Sequence, residues 1–187
     1  MTPEEREAAA LEWIAPHPQV RHLLRTRDWA AELQPDPPEY LLLAALTHDI
    51  ERQFPDGPAY DPALQAADDF EYRWQHSMRS AQFAHEWLYR HGADDPLVAE
   101  VETLILLHEF GGDELANVLQ AADSLSGLET NAEAVADWVR EGRCSPERAK
   151  DQHRWMYERI QIPYAKERAG RHFERALETV DRLAVPG

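Results

Sequence analysis

Apolar residues recur at helical spacing along nearly the whole chain, and breakers divide the pattern into separate segments. Thr2-Pro3-Glu4-Glu5 combines an N-cap, a proline in the first turn and an acid at the capping-box position. It predicts a first helix running to about Ala15. A second helix spans about Pro18 to Leu33 and stops at Pro35-Asp36-Pro37-Pro38. Glu39 to Asp49 reads as a short apolar helix, and residues 53–64, with three prolines and one glycine, as a surface loop. Further helices are predicted over about Ala66–Arg90, Pro96–Glu109 and Asp113–Arg140, with His91-Gly92 and Gly111-Gly112 between them. Ser145-Pro146-Glu147 opens another, and Pro163 separates it from a last helix ending near Ala184. No alternating strand pattern and no internal repeat interrupts this series. The expected fold is all-α, one helical bundle covering residues 1–187.

Composition agrees with one globular domain, since 187 residues, 43% of them hydrophobic and 29% charged, suffice for a core. The lone cysteine, Cys144, rules out an intramolecular disulfide and a cysteine-built zinc site, which suits a reducing cytoplasm. The acidic start Met-Thr-Pro-Glu-Glu-Arg does not read as a signal peptide. The longest apolar run, about Tyr40 to Leu46, is too short to span a bilayer. A cytoplasmic protein is therefore expected. Its net charge of −16 disfavours nucleic acid and anionic membranes as partners. The same field opposes a phosphorylated substrate, which would need local positive charge from metal ions and a few arginines. The sequence leaves a homo-oligomer open.

Two acids sit where charge is costly. His48 and Asp49 close the apolar segment Tyr-Leu-Leu-Leu-Ala-Ala-Leu-Thr, and Asp123 lies among Leu119, Ala121, Ala122 and Leu125. A buried carboxylate needs a partner. An arginine from elsewhere in the fold could serve, but a metal cation held by carboxylates and neutral imidazoles is the more economical answer. Taken alone, His48 could simply cap its helix and Asp49 begin the next turn.

The order His22, His48-Asp49, Asp123 resembles the H…HD…D signature of the HD-domain superfamily, whose characterised members are mostly helical, metal-dependent phosphohydrolases. The resemblance covers about residues 17–130. The strings His108-Glu109-Phe110-Gly111-Gly112-Asp113 and Ala122-Asp123-Ser124-Leu125-Ser126 are also similar to one subgroup of these proteins. It implies a divalent metal on His22, His48, Asp49 and Asp123. In two-metal members it implies two further histidines, here His76 and His108, with Asp49 bridging. One or two ions are expected, with Mn, Fe, Mg, Ni, Co and Zn all open. With a single ion, His76 and His108 would instead contact phosphate or protonate the leaving group.

Two ligand choices stay open in the sequence. His17 and His22 stand roughly 140° apart around one helix, and His22 is preferred because it shares a face with Trp29. His76 and His85 lie on opposite sides of another helix. Helical arithmetic does not separate them, while Ser80 one turn on and the family pattern favour His76. His85, His91, His153 and His172 are expected at the surface or in packing.

The implied chemistry is attack of metal-activated water on a phosphomonoester or phosphoanhydride, with nucleotides among the candidate substrates. Arg52 and Arg79, and more weakly Lys150, are candidates for phosphate contacts. Asp49 and Glu51 are candidate catalytic groups. Glu51 and Glu109 could act as acid or base, or orient a histidine. The loop Gln53–Leu64, with Phe54 and Tyr60, is the candidate recognition lid. Phe70-Glu71-Tyr72-Arg73-Trp74 reads as a substrate lid or, preferred, a packed helix start. Two rivals share the residue pattern: a di-iron oxygenase of the same superfamily, and a regulatory domain that keeps its metal for structure.

Overall fold

The structure, a computed structural model, describes residues 1–184; residues 185–187 of the expected domain lie outside the described residues. Helices make up the whole framework: α1 (Pro3–Ile14), α2 (Val20–Leu33), α3 (Glu39–Thr47), a 3₁₀ turn (Ile50–Gln53), α4 (Phe70–Arg90), α5 (Asp95–Leu107), α6 (Glu114–Thr130), α7 (Ala132–Arg140), α8 (Pro146–Glu158) and α9 (Pro163–Ala184). Among the described residues there is no strand, and no helix is long and apolar enough to cross a membrane.

Local chemistry starts these helices where side chains replace missing backbone partners. Thr2 and Glu5 form the expected reciprocal capping box on α1. Asp94, Asp113 and Ser145 accept from the first-turn N–H groups of α5, α6 and α8. Asp69 does the same for Tyr72, so α4 begins at Phe70 rather than Ala66.

The long segment predicted over Asp113–Arg140 is two helices. Asn131 leaves helical geometry at φ −107° and ψ 5°. Its side-chain oxygen lies 3.1 Å from the Thr130 hydroxyl, which also reaches the Ser126 carbonyl at 2.8 Å. The chain re-aims there, and Val135 and Ala136 of α7 form a small second core with Ala149 and Val180.

α6 is the axis of the molecule, buried along one continuous stretch from Val118 to Leu128. It packs against α2, α9 and α8. Small residues permit this. A Cβ on Gly127 would collide with the terminal methyl of Met156 of α8, so glycine leaves room for that side chain here. α2 turns His22, Leu23, Thr26, Trp29 and Ala30 inward, the stripe its apolar spacing calls for.

Four histidines stand apart from any cluster. His85 meets Glu102, His91 stacks on Trp87, and His172 packs edge-on to Trp29, as expected. His153 of α8 is fully buried, and neither ring nitrogen has a hydrogen-bond partner among the described residues. Desolvation holds its pKa down to about 4. The unfolded chain therefore takes up this proton first. Stability is intact above about pH 6.5 and falls as pH drops toward 4, by roughly 3 kcal/mol from this group. Urea unfolding of His153→Leu is expected to show a shallower loss of stability across that window. An unchanged slope would contradict the assignment.

Candidate metal centre

Two helix ends and the buried faces of three helices bring the candidate ligands together. His22 comes from the buried face of α2 and His76 from that of α4. His48 follows the last turn of α3, His108 that of α5, and Asp123 lies at mid-α6. All of these, with Asp49, are at most 6% exposed.

Each imidazole is oriented by its Nδ1. His48 Nδ1 donates to the Ala45 carbonyl at 3.0 Å and His108 Nδ1 to the Ile105 carbonyl at 2.6 Å. Both bonds satisfy terminal carbonyls of the preceding helix. His76 Nδ1 donates to Glu51 at 2.9 Å. His22 Nδ1 meets Ser126 Oγ at 2.8 Å, and that hydroxyl already donates to the His22 carbonyl, so it accepts from the ring. With every Nδ1 carrying its proton outward, all four neutral rings present an Nε2 lone pair inward.

Those lone pairs face carboxylate oxygens. His22 Nε2 lies 3.1 Å from Asp123 Oδ1 and 3.8 Å from Asp49 Oδ2. His48 Nε2 is 3.5 Å from Asp123 Oδ1 and 3.8 Å from Asp49 Oδ1. His76 and His108 reach Asp49 Oδ1 at 2.7 and 3.9 Å. His22 and His48 approach to 3.3 Å through their Nε2 atoms. Acceptors do not converge on acceptors without a cation between them, whether a proton or a metal. The donors form three triads with ligand atoms within 4.8 Å of one another: His22, His48 and Asp49; Asp49, His76 and His108; and His108, Glu109 and Asp123. Asp49 belongs to the first two. Imidazole nitrogens with carboxylate oxygens are an ordinary set for Zn, Mn, Fe, Co or Ni, so these residues fit a divalent ion.

His17 is buried as well, but it is occupied at both ends. Its Nδ1 accepts from the Gln19 N–H, so its Nε2–H donates to the Asp49 carbonyl, each at 3.0 Å. It anchors the Asp49 backbone and offers no lone pair. His85 lies at the surface of α4, 42% exposed, away from the cluster.

Arginines also reach the buried acids, which the sequence reading had treated as the lesser alternative. Arg52 pairs with Asp49 Oδ2 at 2.5 Å. Arg159, just past α8, pairs with both Asp123 and Glu109. Carboxylate burial alone therefore does not demand a metal; what fits one is the convergence of four imidazole Nε2 atoms on these carboxylates. Burial raises the Asp49 pKa, but Arg52, His48 and His76 outweigh it and hold the carboxyl well below its usual range. Burial is likewise outweighed at Asp123, chiefly by Arg159, with His22 and His48. Glu109 is brought down to about 2 by Arg73 and Arg159. Burial opposes charge on His48 and His76, yet the facing acids leave both raised, while His108 falls to about 4 because burial prevails.

Above the cluster opens a cavity of about 170 Å³, lined by His22, Asp49, Arg52 and Asp123 at its polar side. Tyr60, on the loop proposed as a lid, also lines it. Phe54 does not; it stacks on Phe83 at 4.2 Å. Arginine side chains hold this loop by its carbonyls: Arg79 at Pro55 and Asp56, Arg148 at Pro62 and Gln65, Arg73 at Ala67. Arg79 is thus a loop anchor and is not brought to the cavity, unlike Arg52. Lys150 is not brought there either and pairs with Asp181. Glu51, 2% exposed, lies behind His76 and orients it.

Several participants had no clear sequence signal. Arg159 lies 36 residues beyond Asp123, and Arg73 reads as part of an ordinary helix start. Ser126 could have been found, because it is one turn after Asp123 on the same helix face.

The fold and the cluster together define an all-helical protein whose buried histidine–aspartate groups could hold a divalent metal. The HD-domain family model matches residues 20–169, and the chain belongs to that family. The match continues through α8 into α9, beyond the 17–130 span of the motif. No curated protein and no solved structure matches the chain.

Proposed function

We propose that this protein is a phosphohydrolase that uses water to cleave a phosphomonoester or phosphoanhydride of a small molecule at the His22–His48–Asp49–His76–His108–Asp123 cluster. The observation that carries this reading is the convergence of four imidazoles and two carboxylates in a cluster whose His22, Asp49 and Asp123 line a cavity together with a cation, Arg52. A bound divalent ion would activate water near neutral pH and polarise the phosphoryl oxygen.

The chain's own groups supply the rest. Arg52 uses one nitrogen on Asp49 and on the Gln19 side chain at 2.8 Å, and its remaining N–H groups are free to hold phosphoryl oxygens. Glu51 and Ser126 fix the rings of His76 and His22, and His17 fixes the Asp49 backbone, so the reacting geometry is set before substrate enters. Glu109, ionised between two arginines, is a poor proton donor, and Glu51 does not reach the cavity. Both support neighbouring groups rather than transfer protons.

The test is metal analysis of the purified chain with phosphate release from nucleotides and sugar phosphates under Mn²⁺ or Mg²⁺. Phosphate release that chelation abolishes is expected. No release with any metal, together with substrate-dependent oxygen consumption under Fe²⁺, would overturn this reading in favour of an oxygenase.

A further inference from the structure

The cavity over the metal centre has two unlike kinds of lining. Asp49, Asp123, His22 and Arg52, with Arg73, Glu109 and Arg159, supply its charged lining; Val135 and Trp138 of α7, Met156 of α8 and the rings of Tyr60, Tyr72 and Trp155 supply its apolar lining. A run of rings links the histidine cluster to the apolar side. Tyr72 stacks on His76 with centroids 5.9 Å apart and planes within 6°. Tyr60 leans on Tyr72 at 5.1 Å, and Trp138 on Tyr60 at 5.7 Å.

The placement of charge decides what can occupy this space. Every cation lining the cavity is already matched by a carboxylate: Arg52 by Asp49, Arg73 by Glu109, Arg159 by Asp123 and Glu109. No lysine lines it. The surplus positive charge of a divalent ion would sit at the histidine side alone. That side can hold one phosphoryl group. A second or third would meet only arginines already neutralised by Glu109 and Asp123, beside Val135, Trp138 and Met156, where its burial is unfavourable. That wall instead offers apolar area and ring faces, which suit a flat, weakly polar group.

We propose that the substrate is a monophosphate ester of a compact aromatic alcohol, its ring seated against Trp138, which makes Trp138 a specificity-determining residue. The inference rests on the phosphohydrolase reading and narrows its substrate class. Nucleoside triphosphates and sugar phosphates are expected to be poorer substrates, the first through charge and the second because they bring no aromatic ring to seat against Trp138.

The experiment compares kcat/KM for 1-naphthyl phosphate, ribose 5-phosphate and ATP on the Mn²⁺-loaded full chain, then on Trp138→Ala and Trp138→Phe. Naphthyl phosphate is expected to be the best of the three by about tenfold or more. Trp138→Ala should raise its KM about tenfold with little change in kcat, leave the KM for ribose 5-phosphate in place, and be largely rescued by Trp138→Phe. If ATP or ribose 5-phosphate is preferred, or Trp138→Ala slows all substrates alike, the proposal fails while the hydrolase reading stands. Release from none of the three sinks both. The ranking on the unaltered chain decides even if Trp138→Ala does not fold.

Discussion

Asp49→Asn is expected to abolish metal-dependent phosphate release, by about 10³-fold or more, while the helical circular dichroism signal persists. A loss of that size is about 4 kcal/mol of transition-state stabilisation. It is large because Asp49 belongs to two of the three ligand triads and joins the His22–His48 pair to the His76–His108 pair. Its Oδ1 faces the Nε2 atoms of His48, His76 and His108, and its Oδ2 holds Arg52. Asparagine has the same shape, and its oxygen still accepts from Arg52. Its amide N–H, however, would donate to an imidazole lone pair, taking the place a cation would fill. The fold is thereby satisfied and the metal displaced. Undiminished turnover in Asp49→Asn would remove the catalytic role assigned to this residue.

The largest stability effect is expected at Arg159. Its side chain is 7% exposed, bridges Asp123 and Glu109, donates to Ser124 Oγ at 2.7 Å and lies 4.2 Å over the Trp155 ring. Removing one partner of a buried charge network costs about 3–5 kcal/mol. For a chain of this size, that lowers Tm by roughly 10 °C. Arg159→Met keeps the apolar stem over Trp155 and deletes only the charge. Glu109 retains Arg73 at 3.0 Å, whereas Asp123 keeps only His22 and His48. A metal bound to the native state restores part of the deficit. The Tm difference between wild type and Arg159→Met should therefore be larger in chelator than in Mn²⁺. A difference below about 1 kcal/mol in chelator would be that of a surface pair, contradicting the buried bridge.

The helices and most of the cluster were legible because each rests on local chemistry. Caps at Thr2, Asp94, Asp113 and Ser145, and the breaks at Pro35–Pro38 and Gly111-Gly112, are written in a few adjacent residues. The break at Asn131 was not, since a single asparagine within an apolar series is a weak signal until the second core around Val135 and Val180 is in place. For His48 and His108, helix capping and ligation first look like rival roles. The structure combines them, with Nδ1 capping the helix and Nε2 facing the cluster. Sequence spacing left His17 beside His22 as an alternative; what separates them is the tautomer imposed on His17 by the Gln19 N–H. Arg159 was illegible for a different reason. Its pairing with Asp123 depends on how α8 docks against α6, which is tertiary packing that no local pattern encodes.

The central claim is that imidazoles from four helices and the shared Asp49 surround a metal cation. Anomalous diffraction above the manganese edge, from crystals grown with Mn²⁺, addresses it directly. The account predicts a peak enclosed by the Nε2 atoms of His22 and His48 and the Asp49 carboxylate, with any second peak on the His76 and His108 side of Asp49. Manganese bound only elsewhere, with these Nε2 atoms instead carrying protons to the carboxylates, would contradict it.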